Sequence, residues 1–151
     1  MRKALGFTVT VCVTGLSLLA ACACAADAGQ PPKPELDKPV LKDGEILVSG
    51  TFVWSGKPKE THDIYAVLKP KAANEWTATY TFKWGKNNMT YLGAMKGDLK
   101  NGVLTGEGAP KDKSRTFVFE GTAKNGSVDF KGIETTGGKR VNQATGTFKT
   151  R

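Results

Sequence analysis

The sequence predicts an all-β domain, an antiparallel meander of about eight strands that closes or strongly curls into a small barrel. Three observations carry that expectation. The apolar period is two and not 3.6. Asn-Gly pairs stand where tight hairpins need positive φ. No stretch of helical length carries an amphipathic stripe, the best helical candidate being the short link Lys71-Ala72-Ala73-Asn74.

The clearest strand is Trp76-Thr77-Ala78-Thr79-Tyr80-Thr81-Phe82-Lys83-Trp84. One face carries rings and an alanine, the other threonines and a lysine, as a strand with one buried face requires. A four-residue loop at 85–88 would set Trp84 opposite Met89, Phe82 opposite Tyr91 and Tyr80 opposite Gly93, so that large side chains meet small ones. Glycines opposite aromatics then suggest rings lying over bare backbone.

Two later hairpins follow from their turns. A two-residue loop at Asn101-Gly102 sets Leu99 opposite Leu104 and Lys96 opposite Glu107. The same loop at Asn125-Gly126 sets Ala123 opposite Val128, Gly121 opposite Phe130 and Glu120 opposite Lys131. Further strands are expected near 45–54, 63–70, 114–124, 126–134 and 139–149. Gly50-Thr51-Phe52 and Gly146-Thr147-Phe148 are placed to meet across the seam of a closed barrel. A two-sheet sandwich is the alternative.

The segment Gly97-Asp98-Leu99-Lys100-Asn101-Gly102 recurs 24 positions later as Gly121-Thr122-Ala123-Lys124-Asn125-Gly126. These hairpins resemble the glycine-punctuated MORN hairpin over about 38 residues. Phe130 stands where that repeat has a glycine and Ala123 where it has an aromatic. The likeness therefore implies shared hairpin geometry, not a solenoid.

The chain divides into three parts: an export signal over 1–21, a tether over 22–43 and one β domain over 44–151. Arg2 and Lys3 precede an uncharged, mainly apolar run from Ala4 to Ala21, the pattern of a secretory signal. That run also sits at the lower edge of membrane-spanning length. It ends in Leu19-Ala20-Ala21-Cys22, which resembles the bacterial lipobox. The resemblance implies diacylglyceryl modification of Cys22 and a new N-terminus there. Ala23 follows in place of the aspartate that marks inner-membrane retention in that family, which implies the outer membrane. The competing reading is cleavage after Ala23-Cys24-Ala25, giving a soluble periplasmic or secreted product. Four prolines between Asp27 and Asp43 make the tether an extended spacer. The β domain has no cysteine, so its stability must come from a packed core and not from disulfides.

Of 22 basic residues, setting aside Arg2 and Lys3 leaves 20 against 14 acidic ones. The excess is scattered, with small groups at Lys111/Lys113/Arg115 and at Lys139/Arg140/Lys149/Arg151, and reads as solvated surface, with contact to anionic lipid headgroups, lipopolysaccharide or another anionic envelope polymer as a further option. Export argues against a nucleic-acid partner.

The inventory for catalysis is thin. His62 is the only histidine and is expected in a solvated loop before a strand; as a general base oriented by Asp63 it would be badly placed, since adjacent strand residues face opposite ways. Gly106-Glu107-Gly108 lacks the context of a dinucleotide site. Glu75, Asp98, Glu107, Glu120 and Asp129 are expected on the solvent face. No catalytic residue, metal site or cofactor is expected. The aromatic set remains. Trp54, Trp76, Tyr80, Trp84, Tyr91 and Phe119 are candidates to line a ligand site, with Trp54, Trp84 and Tyr91 near one rim suited to a small apolar ligand or a sugar face. The sequence thus points to a non-enzymatic, membrane-tethered binding or structural module, or else to a carrier of one small hydrophobic ligand in a lipocalin-like barrel.

Overall fold

The computed structural model describes residues 35–150. Cys22 and the expected export signal over 1–21 lie outside the described residues. Eight strands follow one another: β1 Ile46–Trp54, β2 Thr61–Ala72, β3 Glu75–Trp84, β4 Asn87–Gly97, β5 Asn101–Ala109, β6 Thr116–Lys124, β7 Ser127–Thr136 and β8 Lys139–Thr150. Each pairs antiparallel with the next, and β8 returns to β1, closing the barrel in sequence order. The seam joins Gly50 to Phe148, Thr51 to Thr147 and Phe52 to Gly146. Closure leaves no strand edge unpaired.

Period-two alternation decides what goes inside. On β3, Trp76, Ala78, Tyr80 and Phe82 are buried, and they join Phe119, Phe130 and Phe148 in one interior cluster. The ring planes of Phe130 and Phe148 stack with centroids 4.3 Å apart. Outward positions such as Thr105, Glu107, Glu120, Lys131, Thr145 and Thr147 are exposed. This is the inverse of a membrane-spanning barrel, whose outer belt must be apolar. The wall faces water.

Several rings do lie over bare backbone. A Cβ at Gly106 would sit 2.3 Å from the Phe119 ring, one at Gly132 2.1 Å from Phe117, and one at Gly108 3.1 Å from Tyr80. Gly93 serves a different purpose, since its Cβ would fall 1.9 Å from the Glu107 carbonyl oxygen on β5.

Two expected registers are shifted by two residues. Gly85, at φ 61°, and Lys86 form a two-residue turn, so Trp84 pairs with Asn87 and Tyr80 with Tyr91. Gly97 leaves β4 with φ 117°, giving a three-residue turn over 98–100 in which the Asp98 carboxylate accepts the Lys100 N–H at 2.7 Å. Asn101-Gly102 therefore opens β5, Gly97 and not Leu99 pairs with Leu104, and Lys96 pairs with Thr105 and not Glu107. The Asn125-Gly126 hairpin has the expected register, with φ of 53° and 77° at its two turn residues. Lys71 and Ala72 belong to β2, and Asn74 turns the chain with φ 55°, so the link read as a helical candidate is a tight hairpin.

Residues 35–42 have no regular structure, and the start of this stretch is held against the barrel. Lys83, near the end of β3, donates to the Glu35 carbonyl at 2.6 Å, and Leu36 is buried. The segment reaches β1 at the opposite rim, where Leu47 is also buried although it lies outside the interior cluster. Outward residues on β2 and β3, including Tyr65, Val67, Thr79 and Thr81, are half-buried, whereas their counterparts on β6 and β8 are exposed. The stretch before β1 thus straps the outer wall on one side.

Candidate functional site

In a meander the odd-numbered connections share one rim. There the barrel opens into a pocket of about 360 Å³, lined among others by Trp54, Trp84, Met89, Tyr91, Arg115 and Glu134. Larger depressions, up to about 960 Å³, run over the outer wall and are lined by exposed threonines and charged residues. The rim pocket is distinguished by the buried polar groups that converge on it.

Glu134 stands at its base, 1 % exposed. It continues the inward row Val128, Phe130, Gly132 on β7, and the register slip that follows it ends that row. Burying a carboxylate this deeply requires partners. Tyr91 donates to Oε1 at 2.9 Å, Asn142 Nδ2 donates to Oε2 at 3.3 Å, and Arg115 Nη1 lies 3.5 Å from Oε2. Burial, reinforced by the hydrogen bond to Glu134, holds the Tyr91 phenol well above its usual range. Tyr80 is raised too, through burial and then the nearby Glu107 charge, and its hydroxyl donates to the Ala94 carbonyl at 3.0 Å. On the connection above the pocket, the Ser114 amide and hydroxyl hold Asp112 below the usual carboxylate range.

The aromatic wall is built by edges. Trp54 meets Trp84 at 6.3 Å and Phe117 at 6.0 Å, both nearly perpendicular. The Trp54 Nε1–H is buried with no protein acceptor within reach. Trp84 is 39 % exposed, with the Lys57 ammonium 5.2 Å from its ring.

His62 is not the solvated loop residue expected. It lies within β2, is 8 % exposed, and stacks on Phe52 and Trp84 at 5.2 Å each. Its Nδ1 lies 3.2 Å from the Lys83 carbonyl oxygen, and its Nε2 is buried without a protein partner. The strand starts two residues earlier than its apolar pattern shows, and His62 shares the inward parity of Ile64, Ala66 and Leu68. Asp63 faces the other way, so the two do not form an orienting pair.

The structure brings Trp54, Trp84 and Tyr91 together at the rim. It does not bring Trp76, Tyr80 and Phe119 to them. Trp76 pairs with Met95 toward the opposite rim, and Tyr80 and Phe119 pack edge to face at 6.0 Å in mid-barrel. At those three positions side chains fill the interior. Glu134, Arg115 and Asn142 were missed, although the β7 parity that buries Phe130 also points Glu134 inward. Among the described residues no three His, Cys, Asp or Glu side chains converge to hold a metal ion.

Compared with known proteins, the chain matches no family model, no curated protein and no solved structure.

Proposed function

We propose that this chain is a non-enzymatic, lipid-anchored envelope protein whose barrel rim binds one small ligand with an apolar face and a hydrogen-bonding edge, as a sugar ring has. The observation that supports it is the Trp54 N–H, a buried donor with no protein acceptor, in the same pocket wall as the partly exposed Trp84 and the Glu134–Tyr91–Asn142 network. An unpaired buried donor carries a desolvation cost that a ligand oxygen would relieve. About 360 Å³ suits a single ring or a short fragment. Lys57, on an exposed flexible stem, is the group that must swing aside for a ring to reach Trp84.

Catalysis is not part of this reading. Glu134 already accepts from Tyr91 and Asn142 and faces Arg115, so it is built to receive donors and not to take a proton from substrate. The anchor would be the lipid on Cys22, and Cys22→Ala should move the protein from the membrane fraction to the soluble one.

The ligand reading is tested by titrating the ¹⁵N-labelled protein with N-acetylglucosamine. The indole N–H signals of Trp54 and Trp84 should shift saturably while that of Trp76 stays fixed, and Arg115→Ala should weaken binding. Three unmoved indole signals across the millimolar range would refute the proposal.

A further inference from the structure

The basic residues that look scattered in the sequence are gathered by the fold. The four connections at the pocket rim (55–60, 85–86, 110–115 and 137–138) hold six basic and two acidic residues. The three at the opposite rim (73–74, 98–100 and 125–126) hold one of each. Lys59, Lys86, Lys111 and Lys113 are exposed in this collar, and Lys139 and Arg140 extend it at the start of β8. Trp84 stands among these cations with part of its ring in solvent. Lysines around a half-exposed indole are the composition that seats a protein at a lipid headgroup layer.

A second observation picks out the same rim. The Lys83 ammonium holds the Glu35 carbonyl beside the β3–β4 turn, so the polypeptide upstream of Glu35 joins the barrel here and not at the far end. That upstream sequence includes the uncharged, mainly apolar run 4–21. The cation-rich surface and the point at which the chain enters the described structure therefore coincide. At the other rim, the strap delivers the chain into β1 beside connections without net charge.

We infer that the collar is a membrane-docking face that lies against an anionic lipid surface and turns the pocket rim toward it. The inference uses charge and chain entry alone, so it holds whether or not the pocket takes a sugar.

The experiment reconstitutes the full chain into phosphatidylcholine vesicles with and without phosphatidylglycerol. Both carry a lipid spin-labelled at the headgroup, and tryptophan quenching is read. Strong quenching is expected only with phosphatidylglycerol, with loss at high salt and in the Trp84→Phe variant. Replacing Lys59, Lys86 and Lys111 by Gln and Lys113 by Asn should weaken docking roughly fivefold per lysine. A control variant with Lys69, Lys100, Lys124 and Lys149 replaced by Gln loses the same charge elsewhere and should dock as the parent does. Equal quenching in both vesicle types, or equal loss in both variants, overturns the inference. Heparin binding by the collar without lipid quenching also overturns it, in favour of a soluble polyanion.

Discussion

Gly93→Ala tests whether the barrel is as tightly closed as its glycines imply. The added Cβ would lie 1.9 Å from the Glu107 carbonyl oxygen, whereas carbon and oxygen normally approach to about 3.3 Å. The shortfall of roughly 1.4 Å must be met by parting β4 from β5, because a backbone carbonyl in a ladder cannot swing away. Strands normally lie about 4.8 Å apart, so that parting breaks the flanking hydrogen bonds. Two ladder bonds at about 1 kcal/mol each, with overpacking at about 1–3 kcal/mol, give an expected loss of about 3–5 kcal/mol. A closed barrel has no free edge at which the displacement could dissipate. Gly132→Ala is the internal comparison. Its Cβ meets the Phe117 ring, which is only partly buried at the rim and can rotate, so the loss should be smaller. Urea unfolding followed by tryptophan fluorescence reads both. A Gly93→Ala loss below about 1 kcal/mol, or a larger loss for Gly132→Ala, would refute the reasoning.

Three further outcomes follow from the buried polar side chains. In Glu134→Gln the Tyr91 phenol loses its charged acceptor, so it should ionise at lower pH than in the parent while burial still holds it above the usual range; absorbance at 295 nm measures this, and an unchanged titration would contradict the pairing. Because the folded chain keeps Tyr80 and Tyr91 protonated above their ordinary value of 10.0, it binds protons that the unfolded chain releases. The stability these phenols confer is therefore complete below pH 10 and is lost as pH rises beyond it; Tyr91→Phe should flatten the fall seen in denaturant midpoints. His62→Phe keeps a ring between Phe52 and Trp84 and removes the orphaned Nε2, so it should cost under about 1 kcal/mol, whereas His62→Ala should cost about 3 kcal/mol in the same unfolding assay.

Much of this architecture is legible in the sequence because one quantity, parity, survives errors in register. The 85–88 loop and the Asn101-Gly102 turn each imply a register two residues from the observed one, yet a shift of two leaves every side chain on its own face. Tyr80, Phe82, Tyr91 and Met95 are therefore interior as expected, although their partners differ. The seam of Gly50-Thr51-Phe52 with Gly146-Thr147-Phe148 was legible for the same reason. His62 was misread because its polar neighbours Lys59, Glu60 and Thr61 hide the start of β2. Glu134 is not legible because a carboxylate inside a barrel contradicts the usual rule, and only the fold brings Arg115, Asn142 and Tyr91, the last 43 positions away, to it. The groups Lys111/Lys113/Arg115 and Lys139/Arg140 are legible in the sequence, but their union with Lys59 and Lys86 is not, because the collar is contiguous only once alternate connections share a rim.

The seam also bears on the export proposed above. Gly50 cannot find Phe148 until the chain through β8 has been synthesised, so β1 to β7 cannot complete the cylinder by themselves. A barrel whose clasp is its eighth strand stays open, and hence threadable through a narrow pore, until that strand is available. Late closure and passage across a membrane suit each other.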